Sequence, residues 1–471
     1  MATLTRSLRE LARGLRAGEF RAVDLLREAN ANLEATESRL GAYKTRTAAA
    51  AESAASAADA AFGAGKDLGL FQGIPCSVKD IYGVPRIPIF AGSSRELPER
   101  FQEPGPIVRC LLDESAVILG KTHTVEFAFG AIGINHHWPT PRNPWDPREH
   151  RTPGGSSQGA GVALCQGSAV ISLGTDTSGS VRIPASVTGN VGYKPTIGRW
   201  STEGIVPLSP YLDTPGLLAR TVDDAFAAAA EIDRAHGRAV SHPGPGGDDV
   251  SRLRIGIPDE LFWDDCDPGI AEGIRAALAE LEGKGHRLVR ISFPEAVEAF
   301  EIFRIGGTSG SELLAYLTFE LPDWIAQQDP NARTRMKAAA DISAAEWLGR
   351  KLRLDALSRK ARRLFGDVDV VATPTVASTP PVLASIKGWD DYRPANLKLA
   401  RNTSIANLLQ INALTMPVAL DACGMPVGLQ IMADHGRDDF LFAAGLAIEK
   451  VLGTGRERIG IPPGVAHSPV Q

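Results

Sequence analysis

A chain of 471 residues with 44% hydrophobic residues is long enough for one large α/β core or two to three ordinary domains, and its composition is globular. The formal net charge of -5 leaves no basic footprint for nucleic-acid phosphates, so small molecules are the expected ligands. No stretch sustains the roughly 18 uncharged apolar residues of a membrane span. The amino terminus "MATLTRSLRELARGLRAGEF" also lacks an apolar signal core, so the expected location is the cytoplasm, with no membrane and no nucleic-acid partner. Five widely spaced cysteines, without a Cys-x-x-Cys pair, read as reduced, mostly buried side chains rather than a disulfide frame or zinc site.

From Leu4 to about Phe62 apolar residues recur at helical spacing, as in Leu8, Leu11 and Leu15, so the chain is expected to open with a helical layer over 1–62. The texture then changes to short apolar runs closed by Gly or Pro. "GIPCSVKD", "SAVILGKTH", "SAVISLGTDTSG", "RLRIGIP", "HRLVRISFP", "DVDVVATPT" and "MPVGLQIMA" read as buried strands entering loops. "TVDDAFAAAAEIDRA" and "GIAEGIRAALAELEGKG" read as helices, and the alternation predicts an α/β protein. Residues 236–251, rich in Pro and Gly, read as an exposed connection within one continuous domain spanning 1–471. A second Pro-rich loop is expected from Ser378 to Pro394, with Trp389 and Tyr392 on the rim of a pocket.

The stretch "GGSSQGAGVALCQGSAVISLGTDTSGSVRIPAS", residues 154–186, admits three readings. A phosphate loop requires Gly-x-x-x-x-Gly-Lys-Ser/Thr, and no lysine lies in the segment. A plain linker does not carry "VALCQGSAVISLG", which has a buried helix-to-strand character. The third reading is catalytic: Ser180 closes a run of small residues after a strand, where the N–H groups of Thr177, Ser178, Gly179 and Ser180 are able to converge on an oxyanion. An ordinary Ser/Gly turn is the competing reading. A nucleophilic serine needs a base, yet no Gly-x-Ser-x-Gly elbow exists and the histidines sit in polar or Pro-rich segments. The pair His136 and His137 lacks a nearby third ligand, so no metal site is expected. Lys79, ending an apolar run, serves as base if burial lowers its pKa; a solvated lysine at a strand end is the plainer alternative.

The ordered set "GIPCSVKD", "GKTHTVEFAFG", "RNPWDPREHRTPGGSSQGAG", "GTDTSGSVRIPAS", "GNVGYKPT", "LDTPGLLARTVDDA" and "GMPVGLQ" resembles the amidase signature family from about Leu8 to Ala433. The resemblance implies that family's fold, a large mixed twisted β-sheet sandwiched between layers of α-helices. It also implies a Ser-Ser-Lys triad falling on Lys79, Ser156 and Ser180, with Ser156 in a cis peptide and bridging the other two. Ser157, Asp176 and Arg182 match supporting positions, and Phe129, Gly130, Ala131, Ile132 and Trp138 are expected near the acyl pocket. Two positions depart from the family pattern: Gln158 replaces a usual Gly, and Ser178 replaces a Gly whose role is a backbone donor.

The implied activity is hydrolysis of C–N bonds in small amides through an acyl-enzyme, without cofactor, and extends to carbamates, urethanes, aryl amides and esters. The chain is expected to act as a monomer or homodimer. Rival readings are a glutaminase-like A subunit of a tRNA-dependent amidotransferase and a non-catalytic binding subunit of the same fold. Lys79, Ser156 and Ser180 together argue against the latter.

Overall fold

The short apolar runs closed by Gly or Pro become strands of one sheet. In the computed structural model, which describes residues 3–239 and 250–465, these are β1 (Tyr43–Arg46), β2 (Pro75–Lys79), β3 (Val117–Thr122), β4 (Ile171–Asp176), β5 (Val191–Lys194), β6 (Thr214–Ala219), β7 (Arg254–Pro258), β8 (Arg287–Ile291), β9 (Val370–Pro374), β10 (Asn412–Leu420) and β11 (Pro426–Ala433). They form an 11-stranded sheet in the order β1-β3-β2-β4-β6-β5-β10-β11-β9-β7-β8. The sheet is mixed: β2 runs parallel to β3 and β4, β7 runs parallel to β8 and β9, and the central pairs are antiparallel. Most of its strands are buried along their whole length, which is why they read as apolar runs rather than alternating ones.

Helices cover the sheet. The first, Leu8–Ala17, starts at Ser7, whose hydroxyl accepts from the Glu10 N–H while the Glu10 carboxylate accepts from the Ser7 N–H. Such a capping box contributes on the order of 1 kcal/mol. Leu8, Leu11 and Leu15 are buried on one face, each removal from water worth roughly 2 kcal/mol. The helices Val222–Ala235 and Ile270–Gly283 form where the Ala-rich periodicity predicts them. The opening 62 residues are helical with one exception, since β1 leaves the layer to pair with β3 at the sheet edge. Of the connection read over 236–251, residues 240–249 lie outside the described residues. The Pro-rich segment after Ser378 is a loop only as far as Gly388, because Trp389–Leu408 is a helix with Pro394 inside it.

What positions the site is the parallel pairing of β2 with β4, in the register Val78 opposite Leu173. Parallel neighbours end on the same side, so Lys79 at the carboxyl end of β2 comes beside Thr175 and the turn that follows β4. Carboxyl ends of adjacent parallel strands are where α/β sheets build their sites. No helix among the described residues is long and apolar enough to cross a membrane.

Candidate active site

Lys79 is fully buried, and its Nζ donates to Ser156 Oγ at 2.7 Å and to Thr175 Oγ1 at 2.9 Å. No carboxylate pairs with it. Burial therefore dominates, and despite the opposing fields of Asp213 and Asp176 its pKa falls from 10.5 to about 7. An amine that is neutral in a large fraction of molecules near pH 7 is an acceptor as well as a donor.

Ser156 follows a cis Gly155-Ser156 bond. The Gly155 N–H donates to Ala131 O at 2.7 Å, and a Cβ on Gly155 would lie 2.8 Å from Gly133 N and 2.9 Å from Gly130 O, so the 130–133 segment packs against this peptide without room for a side chain. Val125 N–H donates to Ser156 O at 3.2 Å. Ser157 donates its own N–H to Ser180 O at 3.2 Å, which ties the two serine segments together. The Ser156 hydroxyl is engaged by Lys79, and no hydrogen bond joins it to the Ser180 hydroxyl among the described residues.

The turn carrying Ser180 is fixed from beneath by Asp176. Its carboxylate accepts from Gly179 N–H at 2.8 Å and Val181 N–H at 3.2 Å, and from Arg182 Nη2 at 2.8 Å and Nε at 3.0 Å. Asp176 and Arg182 are both fully buried. Burial pushes the Asp176 pKa upward, but the Arg182 charge and the converging donors win and hold it at about 2. Arg182 is completed by Gln430 Oε1 at 2.6 Å and Asn407 Oδ1 at 2.7 Å. Such a network fixes geometry rather than moving protons.

The four expected oxyanion donors reduce to three. Gly179 spends its N–H on Asp176, whereas the N–H groups of Thr177, Ser178 and Ser180 have no acceptor among the described residues. Gly179 has φ of 117° and packs so closely on Thr403 that a Cβ would overlap Thr403 Oγ1, which in turn donates to Ser178 O at 2.9 Å. The Gly at 179 is thus required by conformation and contact together. Thr177 Oγ1 donates to Asp213 Oδ1 at 2.6 Å, and burial raises the Asp213 pKa to about 6. Asp213 and Thr403 are second supports of the turn that the motifs did not single out; Asp213 lies within the quoted "LDTPG", whereas Thr403 carries no local signal.

A cleft of about 230 Å³, whose lining includes Phe129, Arg335, Trp389, Tyr392 and Asn396, adjoins the 129–133 segment that packs on Gly155; Lys79, Ser156 and residues 176–180 are not in its lining. Of the five pocket residues expected from the resemblance, only Phe129 lines it. Gly130 backs onto the Tyr392 hydroxyl, and a Cβ there would lie 2.5 Å from it. Ala131 and Ile132 instead pack in an apolar cluster with Ile183, Val187 and Leu399. Trp138 stacks edge-on against Phe90 at 5.5 Å, beneath Lys44, and donates to Ser93 O at 2.7 Å, away from the cleft lining. Trp389 and Tyr392 line the cleft as expected, but from a helix. Gln158 opens the helix Gln158–Gln166, and both polar atoms of its buried side chain lack a partner among the described residues. His136 bonds Asp329 at 2.6 Å and His137 bonds Glu126 at 3.1 Å.

The chain is 50% identical over 456 residues to a 2-amino-5-chloromuconic acid deaminase of Comamonas testosteroni, covering 97% of this chain and 98% of that one. It is 34% identical over 471 residues to an amidase of Pseudomonas putida, covering 96% and 97%. A crystal structure of an amidase superposes with a TM-score of 0.85 at 28% identity over 95% of this chain and 100% of that one. A family model described as Amidase matches residues 24–442. A match of that extent, on a chain whose sheet follows the same architecture, places this protein in the amidase family, as an enzyme of the amidase signature type that hydrolyses C–N bonds.

Proposed function

We propose that Ser180 ends the proton relay of this hydrolase, as nucleophile on amides and esters and as the group that deprotonates water on an amino-diene acid, that Lys79 acting through Ser156 is its base, and that the substrate is a small acid of the kind the Comamonas relative is named for. The buried Lys79–Ser156 hydrogen bond at 2.7 Å carries the mechanistic half of this reading, and the 50% likeness carries the substrate half. In the proposed relay neutral Lys79 accepts a proton from Ser156 while Ser156 turns to accept one from Ser180. The free N–H groups of Thr177, Ser178 and Ser180 are the proposed donors to the developing negative charge, each worth roughly 3 to 4 kcal/mol in such a hole.

Two substrate chemistries use this relay differently. On an amide, carbamate or ester, Ser180 adds to the carbonyl, the relay protonates the departing nitrogen or oxygen, and the resulting acyl-enzyme is cleaved by water. On a 2-amino-diene acid the carbon bearing nitrogen has no oxygen, so its electrophilic form is the imine tautomer. A serine adduct there has no carbonyl to restore and does not collapse to an ester. The productive nucleophile is a water deprotonated by the same relay: it adds to the imine carbon, and the carbinolamine expels ammonia to leave the 2-oxo acid.

The test is ammonia release by the purified chain alone from 2-amino-5-chloromuconic acid, beside simple amides, aryl amides, carbamates and nitrophenyl esters, with mass spectrometry of quenched enzyme. Ammonia from the amino acid without a covalent adduct, lost in Ser180→Ala and in Lys79→Ala, is the expected result. If the chain alone releases nothing from any of these yet hydrolyses glutamine with amidotransferase partner subunits, the glutaminase-like reading replaces this one. We further take the chain to work as one amidase domain, a cytoplasmic monomer or homodimer, which light scattering and limited proteolysis check.

A further inference from the structure

The cleft lined by Phe129 and Asn396 carries three arginines, of which only Arg304 has a carboxylate partner among the described residues. Arg304, Arg335 and Arg393 line it, and no Asp or Glu is among its described lining residues. Arg304 and Arg393 are exposed at the mouth; Arg304 pairs with Glu301 at 2.6 Å, and Arg393 makes one long bond to the Arg304 carbonyl at 3.4 Å. Arg335 is different. It stands on the helix Pro330–Ala340, half-buried, with its guanidinium carbon 3.4 Å from the centre of the Phe129 ring and Nη1 donating to Phe129 O at 3.0 Å. Tyr392 lies beside it, and burial lowers its pKa with no carboxylate nearby to oppose the shift. Guanidinium nevertheless stays charged in proteins. A stacked ring, one carbonyl and the Tyr392 hydroxyl still leave some of its five N–H donors open, and a partly desolvated cation without a carboxylate partner is unfavourable until an anion arrives.

The same scaffold carries this cation and the catalytic turn. Asn396, on the cleft wall, accepts from Ala131 N–H at 2.7 Å, and Ala131 O accepts from the Gly155 N–H that precedes Ser156. The helix Trp389–Leu408 that supplies Tyr392 and Asn396 also supplies Thr403, which holds Ser178 O. We infer that Arg335 is a carboxylate-binding residue that selects substrates bearing a free carboxylate some carbons away from the scissile C–N bond, pairing with that carboxylate while the C–N end reaches Ser180. This inference rests on the functional reading above and assigns the residue that makes the enzyme specific for acids.

Muconic acid, which has no C–N bond, and hexa-2,4-diene-1,6-diol, the same carbon chain with neutral ends, separate the two questions by calorimetric titration. Wild-type protein should bind the diacid at least tenfold more tightly than the diol, a comparison that needs no variant. Arg335→Met should erase that preference and Arg335→Lys should retain part of it, because lysine keeps the charge without the fork. In turnover, the ratio of kcat/KM for adipamic acid over hexanamide should fall at least tenfold in Arg335→Met, with the change mainly in KM. Equal binding of diacid and diol by the wild type, or an undiminished preference in a folded Arg335→Met, overturns the inference while leaving ammonia release intact. If muconic acid binds through Arg335 but the chain releases no ammonia, the carboxylate site stands and the functional reading alone falls.

Discussion

Replacing Lys79 with methionine separates the lysine's charge from its volume and ties catalysis to stability. In the native protein the amine titrates near 7, against 10.5 for a solvated lysine, because its burial outweighs the attraction of Asp213 and Asp176. At 1.36 kcal/mol per pH unit, the full cost of protonating it in place is about 5 kcal/mol. Between pH 7 and 10.5 the unfolded chain binds a proton that the native chain does not, so stability rises with pH in that window and is constant with respect to this group on either side. The stability of wild type minus that of Lys79→Met should therefore grow by about 2 kcal/mol from pH 7 to pH 9. Buried Lys194, also pushed down to about 7, cancels in the difference. The assay is urea unfolding followed by tryptophan fluorescence at pH 6, 7, 8 and 9 for both proteins. In the proposed relay the neutral amine is the active form, so wild-type kcat/KM should climb through the same midpoint near 7 and then level, and this limb should vanish in the variant. A stability difference that does not change with pH, or a rate limb that survives the substitution, refutes the argument and makes Lys79 a structural lysine.

Ser180→Ala should reduce amide turnover by more than about a thousandfold without loss of folding, read as the absence of an acyl-enzyme mass after quenching. Lys79→Ala should slow an amide more than an activated ester of the same acyl group, by an added factor on the order of 100, since only the amine leaving group needs the returned proton; equal losses in rate would count against the relay. Asp213→Asn removes the charge that most raises the Lys79 pKa, so the limb of kcat/KM should move to lower pH, and an upward displacement would contradict the assigned field. Gly179→Ala should lose activity because its Cβ meets Thr403 Oγ1 at a left-handed φ, and Gly179→Ala with Thr403→Ala should recover part of it, measured as kcat. Arg182→Met leaves Asp176 buried without its partner and should cost about 3 to 5 kcal/mol in urea unfolding.

Much of this was readable along the chain. Apolar runs closed by Gly or Pro marked β2, β3, β4, β9 and β11, because strands buried on both faces leave an unbroken hydrophobic signal, whereas β7 and β8 were marked by the same punctuation although β8, at the sheet edge, is exposed or half-buried along most of its length. The same local grammar located the turn at Ser180 and the strand end at Lys79, since small residues after a strand and a lysine after an apolar run are properties of neighbouring residues. Tertiary structure decided everything that depends on residues far apart. Only the pairing of β2 with β4 brings Lys79 to Ser156, 77 positions away, and only burial there pushes the pKa of that lysine down to about 7. Whether an N–H of the turn faces substrate or Asp176 is a matter of orientation, so four candidate donors became three. Phe129 meets Arg335 across 206 residues, and the helix carrying Arg335 reads in isolation as a solvated surface helix. Sequence periodicity reports which face of an element is apolar; which foreign element covers that face, and what charge it leaves uncompensated, is settled only when the sheet and its helices are assembled.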